Sequence, residues 1–204
     1  MKITNIELQK NPNRFNIYID EKFAFGLSAE LRFKHNLELN MVIDDSFIEN
    51  ILKAEELNKV TGQALNLLSY RQRSEKELYD RLKRKGYEDF FIEKAIVYCR
   101  ENNYLNDKLF AENFIKDKVN INKIGSQRIK YELNSKGISD DIIEDVLQID
   151  YDDEYSNCME IATKRFKSYK DEDKNKTYRK LGSFLQRKGY PYDIISRVLK
   201  ELLR

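Results

Sequence analysis

Apolar residues recur at helical spacing around three glycines. In the first copy Leu78 and Leu82 lie eight and four positions before Gly86, and the same two positions before Gly137 and Gly189 are again aliphatic. Apolar residues also lie five, six, nine and ten positions after each glycine: Phe91, Ile92, Ala95 and Ile96; Ile142, Ile143, Val146 and Leu147; Ile194, Ile195, Val198 and Leu199. Spacings of three and four predict a helix with one buried face on each side of every glycine.

The three glycines are 51 and then 52 residues apart. A near-constant period indicates that one supersecondary unit has been multiplied and stacked. In such arrays, function usually belongs to a surface that several units form together and not to a single pocket. The sequence therefore directs attention to the outward faces of the repeated helices.

A lysine precedes each glycine and an apolar residue follows it, giving the phrases Lys85-Gly86-Tyr87, Lys136-Gly137-Ile138 and Lys188-Gly189-Tyr190. A helix that ends at the lysine places the glycine at C′, where a left-handed backbone costs glycine little. The following residue can then contact the leucine near the helix end, as in a Schellman cap. We interpret the phrase as a helix stop signal that contacts no partner itself.

A further helix precedes each of these pairs. The apolar spacing predicts these first helices over residues 59–70, 108–119 and 155–169. Each unit therefore consists of three short helices. One such unit buries too little apolar surface to be stable alone, so neighbouring units should stack.

Polar residues that favour helix N-termini support these positions. Ser74 and Glu77 have the spacing of a capping box at the start of a second helix. Asp107, Ser139 and Thr177 are predicted as further N-caps.

The first 45 residues have a different pattern, with short alternating runs around Ile3, Ile17 and Phe25. Turn residues at 11–13 and 20–22 separate the runs. This pattern predicts a small antiparallel β-meander followed by a helix at about 46–57. The predicted fold is mainly α, with three tandem three-helix repeats behind the meander. The predicted domains are residues 1–58, 59–104, 105–150 and 151–204.

Composition suits a helical cytoplasmic protein. Only two prolines and seven glycines occur in 204 residues, and 35% of the residues are charged. No apolar run approaches the length of a membrane span, and the first residues lack a signal-peptide core. Cys99 and Cys158 lie in helical patterns without a paired motif, so we expect reduced core thiols in the cytoplasm.

The net charge of +2 conceals an uneven distribution. Residues 1–58 have a net charge of −3, and residues 59–104 have +3. Residues 105–163 hold 7 Lys and Arg against 13 Asp and Glu, a net −6, whereas residues 164–204 hold 13 against 5, a net +8. The first and third repeats are therefore basic, and the middle repeat is acidic.

Basic residues in and around the second helices are the candidates for contact with a partner or a nucleic acid. They are Arg71, Arg73, Arg81, Arg84, Lys85, Arg128, Lys130, Arg179, Lys180 and Arg187. The basic cluster of the third repeat also contains Lys170. Such clusters could neutralise phosphates or meet an acidic protein surface, and they could equally be solvated helix faces.

Catalytic constellations are scarce in the sequence. His35 is the only histidine, and no phosphate-binding loop, dinucleotide fingerprint or paired-cysteine motif occurs. The acidic run Asp150, Asp152, Asp153 and Glu154 could hold a metal, but carboxylates also favour helix N-termini. We expect no catalytic residue, no metal and no cofactor.

Two longer motifs extend over the first and second repeats. The first is Leu68-x2-Arg71-x-Arg73-Ser74-x2-Glu77-Leu78-x3-Leu82-x2-Lys85-Gly86-Tyr87. The second is Tyr104-Leu105-Asn106-Asp107-x2-Phe110-Ala111, followed by Gly125-x2-Arg128-Ile129-x2-Glu132-Leu133-x2-Lys136-Gly137-Ile138. Both motifs resemble those of the RecX family of bacterial recombination regulators. The resemblance covers about residues 59–203 and is looser in the third repeat.

The resemblance implies a non-enzymatic, monomeric regulator that binds the RecA recombinase on single-stranded DNA and restrains it. It implies inhibition of ATP hydrolysis, filament extension and strand exchange, in the context of DNA repair and the SOS response. Contact with single- or double-stranded DNA is a further expectation. An alternative from the charge pattern is a helical-repeat DNA-binding protein that acts mainly through phosphate contacts. A third hypothesis is a metal-dependent nuclease that uses the acidic run.

Overall fold

The computed structural model describes residues 1–169 and 173–203. Lys170, from the basic cluster of the third repeat, therefore lies outside the described residues. The chain divides into two compact units. The first contains Met1–Tyr70 and Tyr79–Asn102, and the second contains Arg71–Leu78 and the described chain from Asn103 onward.

The first unit begins with the predicted meander. Strands β1 (Ile3–Leu8), β2 (Arg14–Ile19) and β3 (Lys22–Ser28) form a three-stranded antiparallel sheet in the order β1-β2-β3. A short helix that the sequence did not predict, α1 (Ala29–Lys34), follows directly. The Ser28 hydroxyl caps this helix by accepting the Leu31 N–H at 3.4 Å.

One face of the sheet packs on the next helix, α2 (Asp45–Tyr70). Their shared core contains Ile3, Ile17, Leu27, Leu31, Leu37 and Ile51. Glu55 of α2 is buried at its edge, where it accepts the Ser28 N–H at 3.0 Å and pairs with Arg14 at 2.7 Å. A small sheet is marginal alone, and this helix stabilises it.

Helix α2 corrects one prediction from the sequence. The two helices predicted over 46–57 and 59–70 are one continuous helix of 26 residues, so residue 58 lies inside it. No proline interrupts this stretch, and Ile51, Glu55, Val60 and Ala64 keep one face buried across the predicted break. The tertiary contacts of that face favour a single rod over two short helices.

The remaining helices follow the predicted three-helix units. They are α3 (Glu75–Arg84), α4 (Asp89–Glu101), α5 (Asp107–Asn120), α6 (Ser126–Ser135), α7 (Asp140–Val146), α8 (Tyr151–Phe166), α9 (Lys174–Lys188) and α10 (Tyr192–Leu202). A 3-10 turn, Lys167–Tyr169, extends α8. Along the described residues, no helix is long and apolar enough to cross a membrane.

The N-caps are confirmed in part. Ser74 accepts the Glu77 N–H at 3.2 Å, and Ser139 caps α7 through the Ile142 N–H. The cap of α5 is Asn106 and not Asp107, which is the first helical residue. The predicted Thr177 cap is wrong, because α9 begins at Lys174, four residues before a Thr177 cap would start it. Thr177 lies buried inside the helix, and Asp173 is the cap.

The glycine caps are confirmed. Gly86, Gly137 and Gly189 have left-handed backbones, with φ of 89°, 82° and 87°. The two hydrogen bonds of a Schellman motif close α6, from the Ile138 N–H to the Leu133 carbonyl and from the Gly137 N–H to the Asn134 carbonyl. The same pair closes α9.

The second unit holds two apolar clusters, one for each of its three-helix repeats. The cluster of α5, α6 and α7 includes Ile129, Leu133 and Ile143. The cluster of α8, α9 and α10 includes Leu181, Leu185, Ile194, Val198 and Leu199. Both cysteines are buried free thiols, and burial raises the pKa of Cys158 to about 12.

Candidate partner-binding surface

The loop before α3 docks on the end of α6 within the second unit. The Ser74 hydroxyl donates to the Lys136 carbonyl at 2.7 Å, and the Glu75 N–H donates to the Asp107 carboxylate at 2.8 Å. The side chain of Lys76 lies so close to Gly137 that a Cβ on this glycine would be 2.6 Å from the Lys76 Cβ.

The start of α6 docks on the end of α9 in the same register. The Gly125 N–H donates to the Lys188 carbonyl at 3.0 Å, and the Gln127 N–H donates to the Gly189 carbonyl at 3.1 Å. The Ser126 N–H donates to the buried Glu154 carboxylate at 2.6 Å. Ser74 and Gly125 both lie twelve positions before their own glycine, so the two contacts are copies of one joint.

The Lys-Gly phrase is therefore more than the helix cap that the sequence predicts. In the second and third repeats it is also the seat for the second helix of the preceding repeat. The small residues Ser74 and Gly125 at the equivalent position were the available sequence signal. Their importance was hidden because the residues they contact lie more than sixty positions away in the chain.

Nine of the ten basic candidates are exposed, and Arg73 is buried with 8% of its surface accessible. At the end of α3, Arg81, Arg84 and Lys85 lie on the exposed side of the helix. The Arg84 Nε donates to the Asp80 carbonyl within that helix at 3.1 Å. These three residues present cations to solvent, whereas Arg73 does not.

Arg71 takes part in an internal network of the second unit. It pairs with Glu77 at 2.9 Å and donates to the Gln72 carbonyl at 2.7 Å, while Lys136 donates to the other oxygen of Glu77. Burial opposes ionisation of the Glu77 carboxyl, but the hydrogen bonds and charges of Lys136 and Arg71 outweigh it, so the pKa is lowered. Arg71 is therefore exposed, but its guanidinium already forms hydrogen bonds within this network.

Arg128 has a similar double role in the middle repeat. It pairs with Glu132 at 2.8 Å and donates to the Arg187 carbonyl at 3.0 Å, across the second joint. Lys118 also pairs with Glu132. Burial would raise the pKa of Glu132, but these two cations lower it overall. Lys130, two residues away, is exposed.

The third repeat has an exposed basic side on α9, which carries Arg179, Lys180 and Arg187. The Lys180 ammonium lies 5.5 Å from the centre of the Tyr169 ring. Beside these residues, α9 and α10 border a groove of 270 Å³ that contains Tyr178, Tyr190 and Tyr192. Charge and periodicity did not indicate these tyrosines as site residues, and Tyr190 was predicted only as part of a helix cap. Gly182 in the middle of α9 was the available sequence signal.

The acidic run forms a helix N-terminus. One Asp150 carboxylate oxygen accepts the Asp152 and Asp153 N–H groups, and Glu154 serves the second joint. Within residues 1–169 and 173–203, no group of three or more His, Cys, Asp or Glu side chains could hold a metal ion.

Four family models match successive parts of the chain. Residues 1–44 match the regulatory protein RecX N-terminal domain. Residues 62–99, 106–147 and 152–199 match the first, second and third three-helix domains of RecX. The chain belongs to the RecX family. This membership confirms the resemblance that the motifs indicated.

Similar RecX proteins cover nearly the whole chain. The regulatory protein RecX of Clostridium perfringens (strain 13 / Type A) is 40% identical over 98% of this chain and 96% of its own length. The one from Clostridioides difficile (strain 630) is 40% identical over 98% of this chain and 95% of its own. RecX proteins are regulatory, and this chain shares that class.

Two crystal structures share the RecX fold. A regulatory protein RecX superposes with a TM-score of 0.81 at 26% identity, covering 97% of this chain and 98% of the other. RecX from Lactobacillus salivarius superposes with a TM-score of 0.66 at 31% identity, covering 73% of this chain and 97% of the other. The RecX fold thus extends over the sheet and the helical repeats.

Proposed function

We propose that this RecX-family chain binds the RecA recombinase, in its filament on single-stranded DNA, and inhibits it. The inhibited steps are ATP hydrolysis, filament extension and strand exchange, and the protein acts without a catalytic site of its own. It works as a monomer in the cytoplasm, in the regulation of DNA repair and the SOS response. Membership of a regulatory family supports this role.

The observation that carries the proposal is the exposed, uneven charge of the repeats. Arg81, Arg84 and Lys85 are exposed at the end of α3, and α9 exposes Arg179, Lys180 and Arg187. Between them in sequence lies a segment with a net charge of −6. Complementary charge steers association and sets its register, so alternating segments suit a partner that is itself built from repeated subunits.

The central test follows ATP hydrolysis by RecA on single-stranded DNA while this protein is added. Hydrolysis should fall at stoichiometric and at substoichiometric ratios. No change at any ratio would overturn the proposal. Strand exchange and filament length are measured in parallel. They distinguish inhibition of filament extension from inhibition of ATP hydrolysis.

Charge reversal locates the surface that acts. The double variants Arg81→Glu with Arg84→Glu and Arg179→Glu with Lys180→Glu should each weaken inhibition without loss of helix. Lys22→Glu with Lys34→Glu is the matched control, because both lysines are exposed and the net charge changes equally. Inhibition that survives both test variants would show that these cations are only solvated surface.

Salt dependence separates this function from the alternative of a DNA-binding protein that acts mainly through phosphate contacts. Affinity for phosphates falls steeply with salt, by a slope set by the number of phosphates neutralised. Inhibition of RecA should persist at a salt concentration where binding to free DNA is lost. If inhibition and free DNA binding fall together, phosphate contact is the main activity.

A further inference from the structure

We infer that the groove between α9 and α10 binds single-stranded DNA by stacking a base on its tyrosines. The inference deepens the proposed function, and rests on it, because the RecA filament supplies the strand. All the residues of the groove belong to the second unit.

Two helical rows form the groove. Tyr178, Gly182 and Gln186 lie one turn apart along α9, and Tyr192, Ile195, Ser196 and Leu199 lie along the facing side of α10. Gln127 and Tyr190 complete the lining. A groove of 270 Å³ is small for a ligand site, which suits one flat ring and not a larger molecule.

Gly182 gives the groove its space. It lies in the interior of α9, where glycine costs about 0.5–1 kcal/mol relative to alanine. A Cβ at this position would lie 3.3 Å from a methyl group of Leu199, so a larger side chain would fill the groove. Because glycine has no side chain, the volume beside Gly182 stays open between the two helical rows.

The corresponding positions of the other repeats have larger or acidic side chains. Counted from the cap glycine, Tyr79 and Lys130 replace Gly182, and acidic residues replace both Tyr192 and Ser196. These are Asp89 and Glu93 in the first repeat and Asp140 and Glu144 in the second. In the first repeat Tyr79 donates to Asp89 at 2.5 Å, which fills the space. Among the residues that the structure describes, the groove of the third repeat is open and has no carboxylate in its lining.

The chemistry of the lining fits a base and its phosphate. Tyr192 is 79% exposed and Tyr178 is 42% exposed, so two aromatic rings are available for stacking. The amides of Gln127 and Gln186 offer donors and acceptors to a base edge. Aromatic platforms beside cations are the usual means of binding single strands without sequence preference.

Cations adjoin the groove on one side. A second cavity of 430 Å³ shares Gln127 and Gln186 with it and adds Arg128, Tyr131 and Arg187. Its one carboxylate, Glu132, is paired with Lys118 and Arg128. The strand's phosphate would meet Arg187, whose side chain has no ion pair among the residues that the structure describes.

Binding of a fluorescein-labelled oligo(dT) to the whole protein, without RecA, tests the inference by fluorescence anisotropy. Tyr178→Ala and Tyr192→Ala should each weaken binding by about 5- to 150-fold, the loss expected for one stacked base. Tyr70→Ala is the matched control, because Tyr70 is 77% exposed and outside the groove. Gly182→Leu should weaken binding as much, with every tyrosine and charge retained.

The salt dependence gives a second readout. Arg187→Ala should reduce the slope of log affinity against log salt by about 0.7, the value for one phosphate of a single strand. Tyr192→Ala should leave the slope unchanged, because stacking releases no counterions. Circular dichroism measures whether each variant is folded. If Gly182→Leu does not fold, Tyr192→Ala still tests the inference, because Tyr192 is exposed and its removal should not disturb the fold.

Several results would overturn the inference. These are no binding of oligo(dT) by the wild type, equal losses in the groove and Tyr70 variants, or stronger binding of duplex than of single strand. If the groove variants lose RecA inhibition but keep their affinity for oligo(dT), the groove holds a protein segment. That result would also overturn the inference. If the groove binds oligo(dT) but the protein does not inhibit RecA, the proposed function is wrong and the inferred DNA-binding groove is still supported.

Discussion

The backbone N–H of Gly125 donates to the carbonyl of Lys188 at 3.0 Å, so the two backbones are in direct contact. A Cβ on Gly125 would lie 2.4 Å from the Gly189 carbonyl oxygen. This contact joins the second helix of one repeat to the glycine cap of the next. Backbone hydrogen bonds as well as apolar burial therefore stabilise the stacking of these two repeats.

Replacement of Gly125 by alanine should therefore destabilise the protein by at least about 2 kcal/mol, because the new methyl group cannot be accommodated. The φ of −76° at Gly125 suits alanine, so backbone strain does not contribute. Gly62→Ala is the control: it lies in α2 with no atom within 4 Å of its Cβ position and should stabilise the protein slightly. Urea unfolding measures both, and equal midpoints would contradict the close approach.

The cap glycines should differ in their tolerance of alanine although they share one conformation. Gly86→Ala should cost about 1–2 kcal/mol for the left-handed backbone alone, since nothing lies within 4 Å of its Cβ position. Gly189→Ala should cost clearly more, because its Cβ would lie 2.2 Å from the Arg128 Cβ. Thermal or urea unfolding gives the comparison. Similar losses would mean that the joint adds nothing to the cap.

The stability that Glu77 contributes should be lost in acid. Its folded-state pKa is lowered, so it adds stability above its unfolded pKa that is lost as the pH falls through the folded value. Glu77→Gln should cost about 1 kcal/mol at pH 7, and the difference from wild type should shrink below about pH 4.5. Glu144→Gln, an exposed carboxylate on α7, is the control. A constant difference at every pH would contradict the ionic network of Glu77, Lys136 and Arg71.

Arg73 should act in stability and not in partner contact. It is 8% exposed, and removal of a buried charged side chain leaves its surroundings unsatisfied. Arg73→Ala should cost at least about 2 kcal/mol, whereas Arg84→Ala, at an exposed position of α3, should change stability by less than about 0.5 kcal/mol. Urea unfolding and RecA inhibition are measured together. Wild-type stability with lost inhibition would make Arg73 a binding residue after all.

Local patterns predicted most of the secondary structure. The caps at Ser74, Ser139 and the three glycines depend on residues at most five positions apart, so their chemistry is visible in sequence. The break predicted near residue 58 failed for the converse reason. The local sequence pattern of two helices in register is the same as that of one long helix. Burial of a continuous face favours the one long helix.

The candidate site was predictable only as a list of cations. Nine of the ten are exposed in the structure, but the sequence could not place Arg73 in the interior or Arg71 and Arg128 in ionic networks. The groove was also missed. Tyr178 and Tyr192 come together through the packing of α9 on α10, and the space between them depends on one glycine.

By itself the sequence determined the repeat, the helix faces and the caps, because each arises from spacings within one or two helical turns. The tertiary structure alone decided that the Lys-Gly cap is also the seat of the preceding repeat. That contact joins Ser74 to Lys136 and Gly125 to Lys188, residues 62 and 63 positions apart. Such pairs meet only after the apolar faces have packed, so no local pattern specifies them.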